Sequence, residues 1–361
     1  MTLFRHTRSV SNPQLASSRM SSQRDFVPEV NPPRKQADDS VVVESVDDDI
    51  FLGKKDHLYK PPMARGVYGG QVIGQALMAA AQTVPPDIPL HSFHCYFLLS
   101  GSPERDIVYT VKRHRDGRTF FTRSVVAVQN GKSIFTLNAQ FCVPEPSRGL
   151  FYHDEMPSEI FLPDQLLDLL EYWKCIADHS SVQAPLKEYI DKALKRPVTI
   201  RQKIVHRSFL KNDDKYRDEL LPNLWPLMVG NGKPQRFIWM KTDSDLPETT
   251  NLNVHKCVIA FMSDMSFIPT AMEPLYNGSS SSPEKKRPRI GMTVTLDHSM
   301  WFHSPTVRAD EWLLFGMYCH VTGGSRALLT CKVWNMKREL VLSVTQGALI
   351  RLQDNDNVSK L

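Results

Sequence analysis

Apolar and polar positions recur along this chain with two periods, near two and near 3.6, and the two predict different elements. Residues 41–51 read as a strand. Over 72–84, Ile73, Ala76, Leu77, Ala80 and Val84 recur at helical spacing. The other positions there are largely alanine, so this helix can be closely surrounded. Strand patterns follow at 91–99, 107–114, 119–129 and 133–143. Asp116-Gly117 and Asn130-Gly131 lie between strands, and such pairs favour tight hairpin turns because both residues tolerate positive φ. One strand, one small-residue helix and a four-strand meander is the pattern of a sheet wrapped around a central helix.

The pattern then changes. Leu166, Leu169, Leu170, Trp173 and Ile176 make an amphipathic helix, and 186–194 is a second helical stretch. Beyond it the first pattern returns. Strands are expected at 198–208 and 235–242. A helix is expected over 255–272, interrupted near Pro269, and a meander at 293–302, 311–321, 327–334 and 340–352. Aligning Gln71 with Asp264, His94 with His298 and Gln140 with Gln346 gives comparable spacings if the polar run 277–288 is an inserted loop. An internal duplication follows. The expected division is a disordered extension at 1–40, a first domain at 41–145, a helical linker at 146–197, a second domain at 198–352 and a tail at 353–361.

Composition narrows the class. The 361 residues carry 44 Lys and Arg against 39 Asp and Glu, a net charge of +5. That balance suits an anionic ligand and is too weak to argue for nucleic acid. No run of apolar residues is long enough for a membrane span. The six cysteines are scattered, with no CxxC and no Cys/His cluster, so reduced thiols and no metal site are expected. There is no GxSxG, which makes a serine esterase an unsupported reading, and no GxxxxGK[ST], GxGxxG or HExxH. Gly69-Gly70-Gln71 precede the first helix, where exposed amides could meet a carbonyl oxygen or an anion. Lys285-Lys286-Arg287-Pro288-Arg289 sits in a Ser-rich stretch and reads as a solvated loop. The first 24 residues hold four arginines and no acid, a composition shared with mitochondrial leaders. A plain disordered extension is the expected reading. The last three residues, Ser359-Lys360-Leu361, form a peroxisomal address, so import into the peroxisome through a receptor for that tail is expected.

Four segments carry a family resemblance: RGVYGGQVIGQALMAAAQTV at 65–84, HSFHCYFLLSG at 91–101, DGRTFFTRSVVAVQNGKSIF at 116–135 and TLDHSMWFH at 295–303. The chain resembles the type II acyl-CoA thioesterases, on their eukaryotic peroxisomal branch. The resemblance implies an α+β double hotdog fold, two tandem antiparallel sheets each wrapped around a central helix. It implies hydrolysis of acyl-CoA to free acid and CoA, with no cofactor. It also implies a catalytic trio at Asp264, Thr295 and Gln346, with possible homo-oligomers. Gly69, Gly70, Gln71 and His91 are the matching front-half candidates for binding substrate. The family's usual Gln-Glu-Gly is here Gln346-Gly347-Ala348.

The residue types suit that chemistry. Thioester hydrolysis needs an oriented water, a proton acceptor and donors for a developing oxyanion. Asp264 is a candidate base, and Thr295 and Gln346 are candidates to hold the water. None of the three is a strong nucleophile, which favours direct attack by water. His298 and His303, in a strand beside Trp301, read as core or interface histidines. Two other functions fit the same fold, an acyl-CoA hydratase and a non-catalytic acyl-CoA binder. The hydratase would favour an Asp/His pair over a hydroxyl and an amide.

Overall fold

The computed structural model describes residues 37–61, 64–145, 151–178, 184–194, 199–213, 235–277 and 290–352. The extension at 1–36, the charged loop at 278–289 and the tail at 353–361 lie outside them, as do the expectations attached to those segments. Among the described residues no helix is long and apolar enough to cross a membrane.

The front half opens with a hairpin, β1 (Glu44–Asp47) and β2 (Ile50–Gly53), where one strand was expected. Asp49 turns the chain at φ 58°, a left-handed conformation that Asp tolerates better than most residues. Helix α1 (Gly69–Ala81) follows, then β3 (Leu90–Phe97), β4 (Ile107–Asp116), β5 (Phe120–Gln129) and β6 (Lys132–Cys142). The Asn130-Gly131 turn is present, with both residues at positive φ. The other connection turns later than expected, at Arg118-Thr119, because Asp116 still pairs with Phe121 and the Gly117 N–H donates to the Phe120 carbonyl at 3.0 Å. The expected linker helices are α2 (Leu169–Asp178) and α3 (Ala184–Leu194). The back half holds β7 (Ile200–Ile204), β8 (Gln235–Thr242), α4 (Leu252–Ser263), α5 (Phe267–Asn277), β9 (Ile290–Phe302), β10 (Leu313–Gly323), β11 (Arg326–Trp334) and β12 (Leu340–Leu352).

The strands form one antiparallel sheet in the order β1-β2-β4-β5-β6-β3-β9-β12-β11-β10-β8-β7. The order reads the same from both ends once β1 to β6 are matched with β7 to β12, each half placing its third strand innermost and its fourth beside its second. The duplication is therefore in the topology itself, and a pseudo-twofold axis passes between β3 and β9. Two details differ from expectation. The two sheets are joined edge to edge, Ser92 opposite Trp301 and Tyr96 opposite Asp297. And β3 does not begin a meander: it pairs with β6, while β4 pairs with β2.

Helices α1 and α4 pack on each other, and α1 is enclosed along most of its length. Ile73, Ala76, Leu77 and Ala80 of α1 meet a core that includes Phe93, Phe135, Leu137, Val258, Ile259 and Met300. Burying each large apolar side chain contributes about 1.5–3 kcal/mol. Gly70 and Gly74 permit the close approach of the helices. A Cβ on Gly70 would stand 2.4 Å from the Phe261 carbonyl oxygen, and one on Gly74 would stand 3.1 Å from that of Cys257.

The break between α4 and α5 lies upstream of the expected one. Pro269 is the third residue of α5, in the first turn, where a missing N–H costs nothing. The chain turns instead at Asp264-Met265-Ser266, with Ser266 at φ 68°. Asp264 caps the C-terminal end of α4 and is thereby freed from the helix face.

Candidate active site

The turn after α4 delivers Asp264 to the start of α1. There the Gly70 N–H donates to Asp264 Oδ2 at 3.0 Å. A carboxylate at the first turn of a helix meets unpaired amides and the positive end of the dipole. Thr295, from β9, donates its hydroxyl to Asp264 Oδ1 at 3.1 Å. Gln346, from β12, donates Nε2–H to Thr295 Oγ1 at 3.0 Å. Strands β9 and β12 are neighbours with Gln346 opposite His298 and Ala348 opposite Thr295, so the amide reaches diagonally along one face. At Gly347 a Cβ would stand 2.3 Å from Asp297 Oδ2, so a larger residue there would have to displace the Asp297 carboxylate, which accepts from the Gly347 N–H. The three expected catalytic residues, all from the back half, thus meet in one hydrogen-bonded chain, to which the front half adds the Gly70 amide.

Burial governs the electrostatics. It pushes the Asp264 carboxyl up to about 7, against the hydrogen bonds from Thr295, Gly70 and Gln346 that favour the charged form. A carboxylate poised near neutrality is suited to take a proton and release it again. Tyr68 closes one side, its hydroxyl donating to the Phe261 carbonyl at 2.9 Å. Burial, then the nearby Asp264 charge, raises that phenol well above its ordinary range, so it stays neutral. Phe97 approaches from β3, 3.0 Å from where a Gly69 Cβ would stand.

The front-half candidates divide. Gly69 and Gly70 lie at the site, within the first turn of α1. The Gly70 amide is occupied by Asp264 and is not presented to a substrate carbonyl. Gln71 is fully buried and faces away from the trio. Its Nε2 donates to the carbonyls of Ser40 (3.1 Å) and His57 (2.8 Å), and its Oε1 accepts from the Tyr59 N–H at 2.7 Å. It ties the segment before α1 to the helix. His91 lies at the opposite end of the β3/β9 pair from Thr295. It borders a separate pocket with Lys256, Phe302 and His303. Of the two histidines near Trp301, His303 is exposed, bonding the Ser343 hydroxyl at 2.9 Å, and His298 is fully buried in the chain that ends on Asp264.

Comparison with known proteins gives the family. Residues 59–142 match the model for the acyl-CoA thioesterase N-terminal domain, and residues 201–350 match that for its C-terminal domain. The chain belongs to the acyl-CoA thioesterase family. It is 32% identical over 319 residues to acyl-coenzyme A thioesterase 8 of Homo sapiens, covering 88% of this chain and 90% of that one. It is also 32% identical over 313 residues to acyl-CoA thioesterase 2 of Haemophilus influenzae, covering 86% and 96%. Among solved structures, acyl-CoA thioesterase II TesB2 of Mycobacterium marinum superposes with a TM-score of 0.61 at 28% identity, covering 90% of this chain and 99% of that one. The fold is a double hotdog, and the enzyme is a thioester hydrolase acting on acyl-CoA.

Proposed function

We propose that this acyl-CoA thioesterase works by direct attack of a water held by Asp264, Thr295 and Gln346. Asp264 takes the proton as the water oxygen adds to the thioester carbonyl. Gln346 gives one amide hydrogen to Thr295 and has a second for the water. The tetrahedral intermediate collapses by breaking the carbon–sulfur bond, and the CoA thiolate recovers the proton from Asp264. The observation that carries this reading is the Asp264 carboxyl, held by Gly70 and Thr295 and poised by burial near neutrality. The hydratase alternative is the weaker one, because His298, the histidine that joins the hydrogen-bonded network of the trio, contacts Gln346 and not Asp264.

Single-turnover hydrolysis in heavy-oxygen water should place one label in the free acid, with no acyl group on acid-quenched enzyme. An acyl adduct on Thr295 or Asp264 overturns direct attack. Near-wild-type turnover by Asp264→Ala overturns the site.

The reading extends to place. The terminal Ser359-Lys360-Leu361 is a receptor-read peroxisomal address, and the enzyme serves lipid metabolism in that compartment. Removing the tripeptide should leave a tagged enzyme in the cytosol. If it still reaches peroxisomes, the tail is not the signal.

A further inference from the structure

Gln346 raises a question that the trio alone does not answer. A primary amide has two ends of nearly equal size, one a donor and one an acceptor. If its oxygen faced Thr295, it would take the hydroxyl proton that Thr295 gives to Asp264, and the carboxylate would lose a hydrogen bond. Some other group must therefore break the symmetry of the amide.

His298 stands in that place. Its Nδ1 lies 2.8 Å from Gln346 Oε1, and its Nε2 lies 2.9 Å from the Ser263 hydroxyl. The ring is fully buried, stacked on Phe93 at 9° and meeting Phe267 edge-on. An amide oxygen only accepts, so Nδ1 must carry the hydrogen. Nε2 of the neutral ring then accepts from the Ser263 hydroxyl. The Ala260 carbonyl, 2.8 Å from the same hydroxyl, competes for its one hydrogen, so this tautomer requires that hydrogen to point at the ring. Resting on the catalytic reading above, we infer that His298 is a positioning residue. As the Nδ1–H tautomer it fixes the orientation of the Gln346 amide and so directs the Thr295 hydroxyl to Asp264. Burial keeps the ring neutral, pushing it down to about 4, so this donor stays the same throughout the working pH range. The chain from Ser263 through His298, Gln346 and Thr295 to Asp264 then has one polarity.

A double-mutant cycle with an isosteric pair of variants tests this. In His298→Asn the side-chain amide nitrogen falls near the place of Nδ1, and in His298→Gln near that of Nε2. Asn should keep kcat within about threefold, whereas Gln should lower kcat by about 10²-fold with KM unchanged, the scale of one preorganised donor. Adding His298→Gln to Gln346→Ala should cost less than twofold further, because the histidine acts through the amide. Independent, multiplying losses overturn the inference, as do equal rates for Asn and Gln. Wild-type turnover by Gln346→Ala itself would instead sink the catalytic reading. Nitrogen-15 spectra of the ring give a measurement free of mutation: a protonated Nδ1 supports the assignment, and a protonated Nε2 ends it.

Discussion

Asp264→Asn should raise stability while abolishing turnover, and the gain should depend on pH. Asp264 has an ordinary value of 3.8 and about 7 in the folded protein, with burial as the main cause. The gap of about three pH units is worth up to about 4 kcal/mol. Below pH 3.8 both folded and unfolded chains are protonated there, and the group carries no penalty. Between 3.8 and 7 the unfolded chain ionises and the folded one does not, so stability falls as pH rises. Above 7 the penalty is complete. Asparagine never ionises and avoids all of it. It also replaces an acceptor by a donor, and one frustrated hydrogen bond costs about 1–2 kcal/mol at every pH. The variant should therefore gain about 2–3 kcal/mol at pH 8 and nothing, or a small loss, at pH 4.5. The difference between the two pH values, about 3 kcal/mol, is independent of the frustrated bond. Urea unfolding of both proteins across this range, compared at fixed m, gives it directly. Parallel curves would mean that the carboxyl is not perturbed and that the proposed base has lost its electrostatic basis.

Two further outcomes use the same geometry. In the wild-type enzyme, kcat/KM should rise about tenfold per pH unit up to about 7 and then level, because the base must be ionised. Thr295→Val should move that midpoint upward by removing a hydrogen bond to the charged form, and a downward move contradicts the arrangement. Gln71→Ala should lower unfolding free energy by about 1–3 kcal/mol and leave kcat unchanged, since it bonds Ser40, His57 and Tyr59 and not the trio. A kcat loss beyond tenfold in folded protein would restore Gln71 to the site.

Most strands and both central helices were legible from periodicity because one face of each is buried. The Asn130-Gly131 turn was legible because backbone sterics restrict what can stand at positive φ, whereas Asp116-Gly117 marked the right connection but not its turning residues. What periodicity does not encode is the order of strands. Whether β3 pairs with β4 or with β6 depends on which edge is free when β2 is in place, and no local pattern carries that. Pro269 was read as the helix break because proline is disfavoured in a helix interior, but in a first turn it is tolerated, and the real break is a left-handed Ser266. Gln71 was read as a site residue because a glutamine beside two glycines at a helix start resembles a binding loop. Its partners come from 12 to 31 residues away, beyond the reach of sequence pattern. His298 was read as a core histidine, which describes its burial but misses its contact with Gln346, 48 residues on.

The corrected register of the duplication accounts for the single trio. Asp264, which caps α4, corresponds to Gln82, which caps α1, and not to Gln71. The pseudo-twofold axis carries the first site to the opposite end of the β3/β9 pair, where the start of α4 meets the chain leaving α1. There Asn253 accepts from the Leu90 N–H at 2.7 Å and donates to the Ile88 carbonyl at 3.0 Å. Lys256 donates to the Leu90 carbonyl at 2.7 Å. Thr83, beside Gln82, accepts from the buried Arg123, which also pairs with Asp116. Polar groups at this end hold backbone or one another. Where Asp264 would stand there is a neutral amide, and the buried ionisable groups at this end are basic, Arg123 and Lys256, the lysine pushed down to about 7 by burial. The lysine amine donates to the Leu90 carbonyl, and a cation or neutral amine does not accept from a helix amide as the Asp264 carboxylate does from Gly70. One end of the duplicated framework thus retains an anion between a helix start and a hydroxyl, and the other has become a tether between α4 and the entry to β3. With Asp264 as the proposed base, two homologous frameworks need only that one carboxylate, and the second place is free to contribute stability instead.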